Sequence, residues 1–176
     1  MNLRIFILGC LFFVLWTGSA GAEEVEVELM LSKEDQFDVG PAIDPLHRDS
    51  DCAGLFYVKN FKDIADLRRD FQYYFCEGMY TLTLKGPAGT TVTLFGLSDF
   101  RTNRGFLILK KKDARMVWLR HLERFPPNQW VTTGGGKDSG VYEAFYFPAP
   151  NFRRQVTSVK WGQWWSGETP SLRNDP

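Results

Sequence analysis

The 176-residue chain holds only three cysteines and two histidines, the side chains most often found holding metals or pairing as nucleophile and base. Cys10, Cys52 and Cys76 match no zinc spacing, and His47 and His121 are too few for the usual three-ligand hydrolytic metal centre. No G-x-S-x-G elbow occurs, and no serine sits beside either histidine in sequence. Net charge is also lacking, with 21 basic and 21 acidic residues. No apolar run reaches the roughly 20 residues that span a bilayer as a helix. A repeat solenoid, a multidomain enzyme and a collagen-like fibre are excluded by length and composition. Neither a metal nor a cofactor is expected.

What is present starts with an export pattern. Arg4 precedes an apolar stretch, Ile5 to Trp16, and small residues follow, ending Ala20-Gly21-Ala22. An A-x-A tripeptide fits the narrow subsites of a signal peptidase, so residues 1–22 read as a cleaved signal peptide. The alternatives are an uncleaved anchor and lipidation at Cys10; the latter leaves too short an apolar stretch before the cut. The expected destination is the periplasm or the extracellular space, with no transmembrane span after cleavage and no nucleic acid as partner. Removal of the signal removes Cys10. Cys52 and Cys76 then remain, an even number in an oxidising compartment, and are expected to form a disulfide. In the chain-entropy model a loop of that length contributes about 3.5 kcal/mol.

Charge is balanced overall but not along the chain. From Glu23 to Tyr80 there are 14 acidic and 6 basic residues; from Thr81 onward there are 7 acidic and 14 basic. The halves either attract one another across the fold or leave a basic face for an anionic partner.

The mature chain reads as one mainly β domain over residues 23–167, with a polar, flexible tail at 168–176. Val25, Val27, Leu29 and Leu31 alternate with Glu24, Glu26 and Glu28, which gives a strand with one wet face whose glutamates discourage edge pairing. Turn chemistry fills residues 32–54. There Asp44, His47, Asp49 and Asp51 form an acidic loop that lacks the glycine and terminal glutamate of a calcium loop. A short strand at 55–58 precedes an amphipathic helix at about 61–75, capped by Asn60, with Phe61, Ile64, Ala65, Phe71 and Phe75 on its buried face. Hairpins are expected for 81–84 with 91–95, for 106–109 with 116–119, and for 130–132 with 141–147. The middle pair has continuous apolar runs, as in strands covered on both faces. A last strand spans 156–161. Eight or nine short strands between Gly/Pro turns imply an antiparallel β-sandwich, of which a jelly roll is one version. Gly134-Gly135-Gly136-Lys137 falls short of a phosphate loop. Its first glycine would fall at Val131, and Asp138 stands where a hydroxyl is needed, so a mobile hairpin tip is expected.

Aromatic and arginine residues supply the candidate site. Trp161, Trp164 and Trp165 cluster near the C-terminus, and flat indoles either pack in cores, stack on sugars or anchor interfaces. Tyr142 and Tyr146 share one strand face. Arg120, Arg124, Arg153 and Arg154 offer guanidinium forks for carboxylate or phosphate. These residues point to an exported, non-enzymatic binding module or accessory protein that meets a protein partner or an anionic envelope polymer through a basic, Trp-containing face. The alternative is a small exported hydrolase with a carboxylate pair or a His/Asp metal site.

Overall fold

A computed structural model describes residues 26–34, 55–71, 79–137 and 139–170. The expected signal peptide, Cys52, Cys76, the loop around His47 and residues 171–176 lie outside the described residues.

Among the described residues nine strands form two antiparallel sheets. They are β1 (Glu28–Glu34), β2 (Leu55–Lys59), β3 (Met79–Lys85), β4 (Thr91–Phe95), β5 (Phe106–Lys111), β6 (Val117–Leu119), β7 (Trp130–Thr133), β8 (Tyr142–Phe147) and β9 (Ser158–Trp161). One sheet has the order β2-β1-β3-β6 and the other β7-β8-β5-β4-β9. The expected β-sandwich is what forms. Alternate residues of each strand meet in a shared core: Leu29, Leu31, Leu82 and Leu84 from the four-stranded sheet, Val92, Leu94, Leu107, Leu109 and Ala144 from the five-stranded one. Among the described residues, no helix is long and apolar enough to cross a membrane.

The five-stranded sheet is covered on both faces. Its outer face carries Phe95, Phe106, Ile108 and Phe145, all buried, with Phe100, Trp130, Phe147, Trp164 and Trp165 packed over them. This explains the continuous apolar run of β5, where Leu107 and Leu109 serve one core while Phe106 and Ile108 serve the other. The segment after β9 lies across this face as a strap. The Trp164 indole N–H donates to Thr93 Oγ1 at 2.8 Å, and that of Trp130 donates to the Glu168 carbonyl at 3.0 Å.

Only β7 and β8 form one of the three expected hairpins. Strands β3 and β4 belong to different sheets, as do β5 and β6, so both connections are arches that cross the sandwich. The second arch is fixed by Asp113, whose carboxylate accepts N–H groups from Val141 at 2.9 Å and Arg115 at 3.0 Å. The Val141 bond, chiefly, holds the Asp113 carboxyl below its usual range. Lys111, fully buried at the same end, donates to the carbonyls of Arg115 and Leu84. Desolvation lowers the pKa of its ammonium. β6 is an edge strand, so Trp118 faces outward at 41% exposure between buried Val117 and Leu119, contrary to the two-sided reading of that run.

The helix expected at 61–75 is a correction. Residues 61–66 are not helical. Ile64 instead bridges Val159 and continues the edge of the five-stranded sheet, and α1 spans only Leu67–Asp70. Asp66, not Asn60, caps it, accepting the Arg68 N–H at 2.9 Å. Asn60 and Phe61 have positive φ values of 54° and 57°, which cannot start a helix. A second short helix, α2, spans Phe152–Gln155.

β1 is a central strand, so its glutamates do not guard an edge. Glu28 is 6% exposed and lies between Lys59 and Lys85 on the flanking strands, at 2.9 and 3.0 Å. The Lys59 hydrogen bond leads in lowering its pKa, against desolvation, with Lys85 assisting. A lowered carboxyl pKa contributes stability that is present above the unfolded value and lost as pH falls through the folded one. Both lysines are about half exposed, which screens the pair, so Glu28→Gln should cost about 1–2 kcal/mol at pH 7. In urea titrations the gap between wild type and variant should narrow as pH falls below the ordinary carboxylate range. A gap that persists there would assign the effect to packing instead.

Candidate functional site

At one end of the sandwich β1 finishes, β4 ends at Phe95, and β5 and β9 begin. A cavity of about 470 Å³ opens there. Four cations line it: Lys33 from β1, Arg68 from α1, Arg104 from the loop between β4 and β5, and Arg154 from α2. Among the described residues Asp66 is the one carboxylate in the wall, and its Oδ1 is engaged by the α1 cap. Ser98, Asn151, Gln155 and Thr157 add polar groups.

The frame behind these side chains is tied together by hydrogen bonds. The Thr157 N–H donates to the Phe95 carbonyl at 2.8 Å, and the Leu67 N–H donates to the Thr157 carbonyl at 2.7 Å. The Ser158 hydroxyl, fully buried, donates to the Leu97 carbonyl at 2.6 Å and accepts the Phe100 N–H at 3.2 Å. Between these lies the 3-10 turn Ser98–Phe100, with φ of 58° at Asp99 and 59° at Phe100. A bulky residue in the left-handed region is strained, and such strain persists only where surrounding bonds over-determine it. Here the Asp99 N–H bond to the Ala65 carbonyl at 2.8 Å and the Ser158 contact do so.

Burial sets the electrostatics. Lys33 is 1% exposed, and its ammonium lies 4.5 Å from the centroid of the Tyr80 ring. The Tyr80 hydroxyl has no hydrogen-bond partner among the described residues. Desolvation pushes its pKa up, with the Arg68 charge opposing. Among the described residues neither Arg104 nor Arg154 forms an ion pair or a side-chain hydrogen bond. The Arg104 and Arg154 guanidinium groups contribute a local positive potential at the cavity that draws anions.

The aromatic and arginine residues singled out in the sequence are not brought into one face. Trp161 is 7% exposed; its backbone N–H donates to Asp63 and its indole N–H to the Lys62 carbonyl. Trp164 and Trp165 lie on the outer aromatic cluster, 5.8 Å apart. They cover a sheet face that would otherwise be wet. Tyr142 and Tyr146 share the inner face of β8 and are buried, and burial raises the pKa of both hydroxyls. Arg124 donates to the Tyr142 hydroxyl at 2.6 Å. Arg120 stacks 4.6 Å over the Trp118 ring, and the Arg153 N–H donates to Glu123. Arg154 alone of the four arginines lines the cavity. Two of its cations, Lys33 and Arg68, come from the acidic half of the chain, where no charge run marks them. Elsewhere the two halves attract, as in Lys85–Glu28 and Lys160–Asp63, both at 3.0 Å. His121 is exposed, and among the described residues no three His, Cys, Asp or Glu side chains gather as a metal site.

No family model, curated protein or solved structure matches this chain.

Proposed function

We propose that this protein is an exported binding module of the cell envelope that holds an anionic group of a glycan in the end cavity. One observation carries the reading: Arg104 and Arg154, from separate segments, line one cavity and among the described residues form no ion pair or side-chain hydrogen bond. The N-terminal pattern of a charge, an apolar stretch and A-x-A supports export. The cavity volume lies within the usual range for small-ligand sites and suits one or two charged sugar units. A protein partner would engage some 800 Å² of surface on each side, and a recessed site is a poor centre for that.

The test is binding to polygalacturonate, with dextran as the neutral control. Wild type should bind the acidic polymer, more weakly as salt rises, and should ignore dextran. Arg104→Gln and Arg154→Gln should each weaken binding about tenfold, the cost of one charge-assisted contact. Unchanged binding in the double variant would remove the cavity from the function. Capture of an acidic peptide in preference to the polymer would replace the glycan with a protein partner.

A further inference from the structure

Beyond the cavity, we propose that the outer face of the four-stranded sheet is a second binding surface, which takes a flat, neutral, β-linked glycan chain laid across the strands. The strand register puts Tyr57, Met30, Thr83 and Trp118 opposite one another on β2, β1, β3 and β6. All four project outward, because the residues flanking them, such as Leu29, Leu31, Val117 and Leu119, fill the shared core. The aromatic ends of the row are open: Tyr57 is 47% exposed and Trp118 41%. Three strand spacings separate these two edge strands, about 14 Å. The sheet thus displays two aromatic side chains in line, with the Met30 thioether and the Thr83 hydroxyl between them. The Trp118 N–H donates to Ser139 Oγ at 3.2 Å, and the Arg120 guanidinium stacks 4.6 Å from its ring centroid, which holds the indole in place. Pyranose rings have apolar C–H faces that pack on aromatic rings, and hydroxyls at their edges that need donors and acceptors.

Those donors and acceptors lie alongside. A second row, Lys59, Glu28 and Lys85, crosses the same face two residues along the strands. Lys59 contacts Glu26 at 2.6 Å and Glu28 at 2.9 Å, and Lys85 contacts Glu28 at 3.0 Å. These charges answer one another, so the row offers hydrogen bonds to hydroxyls without calling for an ion. A globular partner or a second copy of the chain fits less well. It would strip water from Lys59, Lys85 and Glu26, each about half exposed. Strand number, length and spacing give a projected face of about 350 Å². Each side of a stable protein interface engages some 800 Å². A single glycan chain needs only the strip along the aromatic row.

Calorimetric titration of the full mature chain with cellohexaose, cellobiose and dextran tests this. Cellohexaose is a flat ribbon that reaches both aromatic side chains, cellobiose reaches one, and the flexible linkage of dextran does not keep successive rings in line. Cellohexaose should bind at least tenfold more tightly than cellobiose, with an affinity that salt leaves unchanged, and dextran should not bind. Trp118→Ala and Tyr57→Ala should each weaken cellohexaose binding about tenfold, at a thermal midpoint close to that of wild type, and leave polygalacturonate binding as it was. Tyr57→Ala carries the test alone if Trp118→Ala fails to fold. The double variant Arg104→Gln, Arg154→Gln should bind cellohexaose like wild type. No binding of cellohexaose, binding of dextran equal to it, or wild-type affinity in the Tyr57 and Trp118 variants would overturn the surface. Loss of cellohexaose binding in the arginine double variant would move the glycan into the cavity and overturn the surface as well. A wild-type dimer in sedimentation that Trp118→Ala dissolves would give the face to a second copy instead. Failure of polygalacturonate alone would strike the cavity reading and leave this surface standing.

Discussion

Phe106→Ala should lower the unfolding free energy by about 3–5 kcal/mol, a large share of the total stability of a domain this size. Phe106 is fully buried at the start of β5, on the outer rather than the shared core. Its ring stacks on Phe145 at 6.0 Å and on Phe147 at 5.3 Å, and meets Trp164 edge-on at 5.4 Å. Phe95 lies 6.2 Å away on the neighbouring strand. Removal of this ring takes the support from beneath the strap, because Trp164 rests on Phe95 and Phe106 while donating to Thr93. Little can collapse into the space, since the surrounding rings are held by the sheet below them. Urea denaturation gives the free energy directly. Phe147→Ala, at a part-exposed rim position, should cost clearly less. Equal losses would mean that the strap is held by the rim and not by the centre of the cluster.

Gly96→Ala should be nearly as damaging and should also disable the cavity. A Cβ at Gly96 would lie 2.0 Å from the Arg104 carbonyl oxygen, and that neighbour is backbone, not a side chain able to swing away. The two chains approach closely because the Gly96 N–H donates to the Gly105 carbonyl at 3.0 Å, closing the β4–β5 loop. To admit a methyl group the loop must open, which breaks that bond and shifts Arg104. A loss of about 2–4 kcal/mol is expected, together with at least tenfold weaker binding of polygalacturonate by the surviving folded protein. Gly89→Ala, where nothing lies within 4 Å of the added Cβ, is the control. Its positive φ of 88° limits the penalty to backbone strain, about 1 kcal/mol, with binding untouched. Normal binding by Gly96→Ala would mean that the position of Arg104 does not matter.

Period-two patterning and short apolar runs were enough to find the strands. β1 through β9 all lie at or within a few residues of where apolar and polar side chains alternate or run together. Helix signals were weaker guides. Phe61, Ile64 and Phe71 recur at spacings that suit a helical face, yet Ile64 is drawn into a bridge with Val159. Completing the sheet edge there gains backbone hydrogen bonds at both Ile64 and Val159. The hairpin error has a geometric cause. A connection of five or so residues can return a chain to the next strand, about 4.8 Å away, or carry it to the facing sheet, about 10 Å away. Both leave the same alternation in the strands.

The candidate site divides in the same way. Arg154 was legible because paired arginines are conspicuous. Lys33, Arg68 and Arg104 were not, because each is a single cation in a segment with other duties. The tryptophans misled because an indole that covers a sheet and one that meets a ligand are spelled identically. Composition and alternation by themselves determined a mainly antiparallel β domain with two layers, since local side-chain period depends only on the pleat of each strand. Which strands share a sheet, that the outer face needs an aromatic strap, and that four distant cations meet around one cavity were decided by tertiary structure alone. Those outcomes depend on how strand ends converge in space, and no local pattern encodes that convergence.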